Sequence, residues 1–182
     1  MLKKILIASA ILASTIAMAD PAPYIGAGLG IVANTTKDGG NGDPANFRGV
    51  PFNLFAGYGG VVNQNLYLGG ELTGTVGTGE ISDQGRLKTS YSYGASVVPG
   101  VMLSDHTLAF GRVGAVKTRF SDQDKSTTGT QLGLGLQTSV TQNVDLRGEY
   151  DFTAYNSFTS GNERISAPRS DAFNLGVVYK FD

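Results

Sequence analysis

Apolar and polar positions alternate along most of this chain. Its end, FNLGVVYKFD, puts Phe173, Leu175, Val177, Tyr179 and Phe181 on one side. Ala172, Asn174, Gly176, Val178 and Lys180 fall on the other. Successive side chains of a strand point to opposite faces, so this stretch reads as a strand with one oily face. The same period recurs upstream. Phe52, Leu54, Ala56 and Tyr58 oppose Asn53, Phe55, Gly57 and Gly59. Leu66, Leu68, Leu72 and Val76 oppose Tyr67, Gly69, Glu71 and Thr73. Leu132, Leu134 and Leu136 oppose Gln131, Gly133, Gly135 and Gln137. Val144, Leu146, Tyr150 and Phe152 oppose Asp145, Arg147, Glu149 and Asp151. No stretch after residue 20 keeps a helical period. The pattern predicts eight strands, at about 24–34, 50–60, 66–78, 88–102, 107–119, 129–140, 144–156 and 172–181.

The connections alternate in length. Those at 61–65, 104–106 and 141–143 are short, and those near 35–49, 79–87, 120–128 and 157–171 are longer and polar. Short turns at one end, longer loops at the other and an even strand count are the pattern of a transmembrane β-barrel of the outer-membrane type. The predicted fold is all-β, an eight-stranded antiparallel up-and-down barrel with both termini at the short-turn, periplasmic end. Lipid offers no hydrogen bonds, so the sheet has to close, with the last strand pairing to the first. A soluble barrel or sandwich also alternates. Two features favour the membrane. Charged Glu71, Arg147, Glu149 and Asp151 share faces with Gly, Thr and Gln, as in a crowded polar lumen. Aromatics gather at strand ends, with Tyr24, Tyr58, Tyr179 and Phe181 at one rim and Phe52, Tyr91, Tyr93, Phe152 and Phe173 nearer the other, as interfacial girdles do. Pro99 removes a backbone donor within strand four and is expected at a bulge or near the periplasmic rim.

The start of the chain sets the compartment. Lys3 and Lys4 precede an apolar run from Ile5 to Ile16 that closes on Ala17-Met18-Ala19. This is the layout of a cleaved secretory signal peptide, expected over residues 1–19, with the barrel domain over 20–182. The apolar run is too short for a spanning helix. Removing the two lysines takes the formal charge from −1 to −3. Neither value suits nucleic-acid binding, and none is expected. There are no cysteines and one histidine.

That composition narrows the chemistry. His106 sits in Ser104-Asp105-His106, a short turn at the periplasmic end, where ordinary turn chemistry explains all three residues. No catalytic residue is assigned. No Cys/His cluster suggests a metal. The GAGLG stretch at 26–30 lacks the Lys and helix of a phosphate loop, so no cofactor is expected. The lumen is more informative. Counted up from the short turns, Glu71, Arg112 and Glu149 fall at similar depth and face inward. An eight-stranded barrel is just wide enough for side chains to fill it. Arg112 is therefore expected to bridge Glu71 or Glu149, with Arg147 and Asp151 extending the network, because a lone buried charge is costly. The network reads as a plug, or as a gate if partners exchange. Loop charges balance: Lys37 and Arg48 against Asp38 and Asp43; Arg86 and Lys88 against Glu80 and Asp83; Arg119 and Lys125 against Asp122 and Asp124; Arg164 and Arg169 against Glu163 and Asp171. Nothing polybasic marks a ligand there. Lys117 and Arg119 could meet lipopolysaccharide phosphates.

YIGAGLG (24–30), FNLFAGYGG (52–60), FGRVGA (110–115) and LGVVYKF (175–181) resemble the small eight-stranded outer-membrane barrels, the OmpA-like transmembrane domains, OmpX-like proteins and opacity-type porins. The resemblance covers residues 20–182. It implies an integral outer-membrane protein in contact with lipid and lipopolysaccharide. It also implies a C-terminal assembly signal read by the insertion machinery, matched here by Tyr179 and Phe181, although Asp182 follows where the family usually ends on the aromatic. The family includes adhesins, stability proteins and narrow pores. The expectation is therefore a non-enzymatic structural or adhesin-like role through four loops that meet host or surface ligands, or alternatively a low-conductance pore.

Overall fold

A computed structural model describes residues 19–36, 45–84, 88–120, 125–160, 163–165 and 167–181. The expected leader, up to Met18, lies outside them, as do the loop charges Lys37, Asp38, Asp43, Arg86, Asp122 and Asp124.

Eight long strands form a closed antiparallel barrel. They are β1 (Ala19–Thr36), β2 (Ala45–Asn63), β3 (Leu66–Gln84), β4 (Thr89–Ser104), β5 (Thr107–Phe120), β6 (Lys125–Ser139), β7 (Val144–Tyr155) and β10 (Arg169–Lys180). Each pairs with its neighbour in sequence, and β1 closes on β10 from Tyr24↔Lys180 to Thr35↔Arg169. Phe181 N–H donates to the Pro23 carbonyl at 2.9 Å and extends that seam. Between β7 and β10, β8 (Phe158–Ser160) and β9 (Glu163–Ile165) make a separate hairpin where the sequence suggests only a loop.

The oily faces point outward. Leu72, Leu134 and Leu175 are 65%, 72% and 61% exposed. The charged residues at the middle of the lumen are almost wholly buried. This is a membrane protein's distribution, with acyl chains as the solvent for the outer wall. A tilted spanning strand needs about 9–11 residues. β1, β2 and β3 have 18, 19 and 19, so they overshoot a bilayer core.

The overshoot is longer than the hydrophobic pattern indicates. Ladder hydrogen bonds need no apolar side chain, so polar Asn34, Asn46, Ser82 and Ser170 continue the sheet. Pro99 faces outward five residues from the Ser104 turn, and no bulge surrounds it. The β4–β5 ladder passes it by running from Val97↔Val113 to Gly100↔Phe110 in one register.

One aromatic is placed differently from expectation. Tyr24 is 5% exposed and points into the lumen instead of joining a girdle. The phase of β1 dictates this: Ile25, Leu29 and Ile31 face out, so Tyr24, Gly26, Gly28 and Gly30 face in. Tyr58, Tyr91, Tyr93, Phe173, Tyr179 and Phe181 do face outward.

Among the described residues β3 and β4 pair only as far as Thr75↔Ser92, whereas β2 and β3 stay paired to Asn46↔Gln84. Within that β2–β3 ladder the register shifts between Phe52↔Gly77 and Asn53↔Thr75, leaving Val76 as an extra residue. Such a bulge reverses which side chains face inward beyond it. Thr78 consequently turns toward the lumen.

Candidate functional site: a charged plug in the lumen

The lumen is filled in layers. Nearest the short turns, Val98, Leu108 and Phe110 form an apolar cluster with Tyr67 and Met102 against it. Beside it Lys180 Nζ lies 2.9 Å from Asp145 Oδ1, and Gln137 Nε2 donates to Asp145 Oδ2 at 2.6 Å.

The next layer holds the charges. Arg112 on β5 presents a fork to Glu149 on β7: Nε donates to Oε1, and Nη2 to Oε2 at 2.9 Å. Nη2 also donates to Glu71 Oε1 on β3 at 2.5 Å, and Nη1 to Ser96 Oγ at 2.9 Å. Arg147 reaches the other oxygen of Glu71 through Nη1 at 2.6 Å and donates from Nε to Gln137 Oε1 at 2.8 Å. Tyr24 OH adds a hydrogen bond to Glu71 Oε2 at 2.9 Å. Glu71 is thus held by two guanidiniums and a phenol. The planar guanidinium suits this role because its donors leave in fixed directions that match carboxylate oxygens.

Arg147 is also enclosed by rings. Its Cζ lies 4.6 Å from the centre of the Phe55 ring, 4.9 Å from Phe110 and 5.5 Å from Tyr24. Aromatic faces attract a desolvated cation. Gly26 makes this cage possible, since a Cβ there would overlap the ring of Phe55.

Asp151, one turn of the alternation above Glu149, is less well served. Asn174 Nδ2 donates to its Oδ2 at 3.0 Å. Its Oδ1 lies 3.6 Å from Arg112 Nε, whose hydrogen goes to Glu149 instead. From Asn174 a polar chain continues round the wall: Asn53 Nδ2 donates to Asn174 Oδ1 at 2.8 Å and Thr75 Oγ1 to Asn53 Oδ1 at 2.7 Å. Nearest the long loops, Val32, Phe47 and Ala172 form one apolar cluster and Val116 with Tyr155 another.

All five charges singled out from sequence therefore meet in one layer, Arg112 contacting both glutamates. Sequence reasoning missed Tyr24, Ser96, Gln137 and the ring cage as partners. The alternation carried the signal for each, since all lie on the lumen phase of their strands. Tyr179 and Phe181 lie apart from this site, outward at the short-turn rim. Their rings meet edge to face with centroids 5.1 Å apart. Among the described residues no group of three His, Cys, Asp or Glu side chains could hold a metal. His106 is exposed in its turn, its N–H 3.4 Å from Ser104 Oγ.

Residues 5–181 match the family model of the outer membrane protein beta-barrel domain. The chain belongs to that family. It is accordingly an integral protein of the outer membrane, its short turns periplasmic and its long loops extracellular. Among solved structures it is similar to Neisserial surface protein A, with 20% identity and a TM-score of 0.54 over 90% of this chain and 100% of the other. The attachment invasion locus protein Ail of Yersinia pestis gives 19% and 0.53, again over 90% and 100%. OprG from Pseudomonas aeruginosa gives 12% and 0.50 over 90% and 97%. At these identities the likeness is one of fold. No curated protein matches the chain.

Proposed function

We propose that this is a non-enzymatic outer-membrane barrel with a structural or surface-interaction, adhesin-like role carried by its four extracellular loops. The observation that supports it most is the plug. Glu71, Arg112, Arg147 and Glu149 fill the middle of the lumen and satisfy one another, which suits a wall more than a conduit. The overshooting β1, β2 and β3 would carry their loops clear of the headgroups. Outer-membrane lipid and lipopolysaccharide would surround the wall, and the assembly machinery would read Tyr179 and Phe181. Host or surface ligands would meet the loops. To test this, each long loop is replaced by a two-residue turn in cells, and adhesion and envelope integrity are measured. Loss of either with the barrel still folded supports the proposal. No change in both removes it.

A second reading, a low-conductance pore, draws on the cavity that reaches down to Arg112 from the extracellular half. Discrete single-channel steps in a planar bilayer that change in Arg112→Ala would favour it, and a silent barrel would exclude it.

A further inference from the structure

On the extracellular side of the plug lies a cavity of about 110 Å³. Asp151, Arg112 and Glu149 line it at one end, Val32, Val116 and Tyr155 at the other. Two buried oxygens on its wall have no hydrogen-bond partner among the described residues, Asp151 Oδ1 and Thr78 Oγ1. The Asp151 side chain is only 9% exposed.

Water could satisfy those oxygens, but it would not settle the charge. Among the described residues, the charges inside the lumen are Arg112, Arg147 and Lys180 against Glu71, Asp145, Glu149 and Asp151. One carboxylate is in surplus. Glu71 and Glu149 take the hydrogens of the two arginines, and Asp145 has Lys180. The surplus falls on Asp151. Its nearest cation, Arg112 at 3.6 Å, gives its hydrogens to Glu149 and Glu71, so this largely buried carboxylate has no counter-charge of its own, which is expensive and favours something positive beside it.

We propose that the cavity is a binding site for a small monovalent cation, held by Asp151 Oδ1. The surplus of one charge matches a single positive charge. Apart from the guanidiniums of Arg112 and Arg147, which are turned to Glu71 and Glu149, the polar groups on the wall are oxygens and amides, and oxygens suit a hard alkali ion or a primary ammonium group. A space of this size exceeds that of one water, so it takes an ion with part of its hydration shell, or an ammonium whose short alkyl chain rests on Val32 and Val116. Access is offered where β3 and β4 part above Thr75↔Ser92. The inference does not depend on the adhesin-like reading, because a non-conducting barrel can hold such an ion equally well.

The test uses the full protein extracted in its folded state from membranes with a nonionic detergent. Tetrapropylammonium chloride, too large for the cavity, is replaced stepwise at constant ionic strength by sodium, potassium or n-propylammonium chloride. The thermal unfolding midpoint is read from heat-modifiable gel mobility. A saturable rise is expected, of about 3 °C at a tenfold excess over the dissociation constant. Asp151→Asn, which keeps the shape and removes the charge, should abolish it. A larger response to sodium or potassium identifies an alkali ion, and a larger response to propylammonium an amine. No saturable rise in the wild type overturns the proposal. So does an equal rise in Asp151→Asn, as when a proton neutralises Asp151. Should that variant not fold, the wild-type titration decides alone.

Discussion

The two halves of the lumen are built differently. In the periplasmic half the ladders run on both sides of every strand, and the buried charges are held by oriented partners. Glu71 alone accepts from Arg112, Arg147 and Tyr24. In the extracellular half β3 leaves β4, Val76 bulges, a cavity opens, and Asp151 Oδ1 and Thr78 Oγ1 lack partners among the described residues. The same polar composition thus serves two purposes. Where charges are balanced and their geometry is fixed, polar residues close the barrel. Where one charge and some space are left over, they leave room for a visitor.

The sharpest way to break this contrast is Arg112→Ala. It would leave Glu71 with Arg147 as its one cation beside the Tyr24 hydroxyl, and Glu149 and Asp151 with no cation in contact among the described residues. Removing one partner of a buried ion pair costs about 3–5 kcal/mol. Urea unfolding followed by gel mobility should show a loss of that order. A loss near zero would mean that water enters the plug freely and that the periplasmic half is as open as the other. Gly133→Ala attacks the same layer by volume. A Cβ there would lie 2.5 Å from Asp151 Oδ1, 3.0 Å from Glu149 Oε1 and 3.1 Å from Arg112 Cβ. Overpacking of this kind costs about 1–3 kcal/mol, measurable in the same titration.

The plug was easier to read from sequence than its surroundings, for physical reasons. Short periplasmic turns let residues be counted upward on each strand, so Glu71, Arg112 and Glu149 could be set at one depth. Leu132, Leu134 and Leu136 fixed the outer face of β6 without ambiguity. Tyr24 was misread because an aromatic near a strand end suits a girdle, although Ile25, Leu29 and Ile31 already assign the outer face to odd positions. The bulge at Val76 left no mark, since GTVGTG has small residues on both sides of the alternation. Strand ends at Thr36, Ala45 and Gln84 were hidden because backbone pairing does not require apolar side chains. The missing partner of Asp151 depends on which way one guanidinium hydrogen points, and no periodicity encodes that.

Tyr24→Phe is a gentler probe of the paired half. It removes one donor to Glu71 while both arginines remain. A loss of about 1 kcal/mol is expected from a single hydrogen bond to a group that keeps other partners. A loss as large as that of Arg112→Ala would show instead that the phenol positions both arginines, which would make Tyr24 the organiser of the plug.

The smallest expected effect has the opposite sign and belongs to the open half. Gly77 sits beside the Val76 bulge, where β3 has already left β4, and a Cβ there would meet nothing within 4 Å. Its backbone is not in the left-handed region that would demand glycine. Gly77→Ala should therefore stabilise the barrel by about 0.4–1 kcal/mol, because the unfolded chain loses freedom and the folded chain loses nothing. Paired with Gly133→Ala, the same added methyl group then raises stability in one half and lowers it in the other. If both substitutions destabilise alike, the outer wall at Gly77, on the same face as the outward Phe52, is packed in the membrane, and this part of the extracellular half is no looser than the periplasmic one.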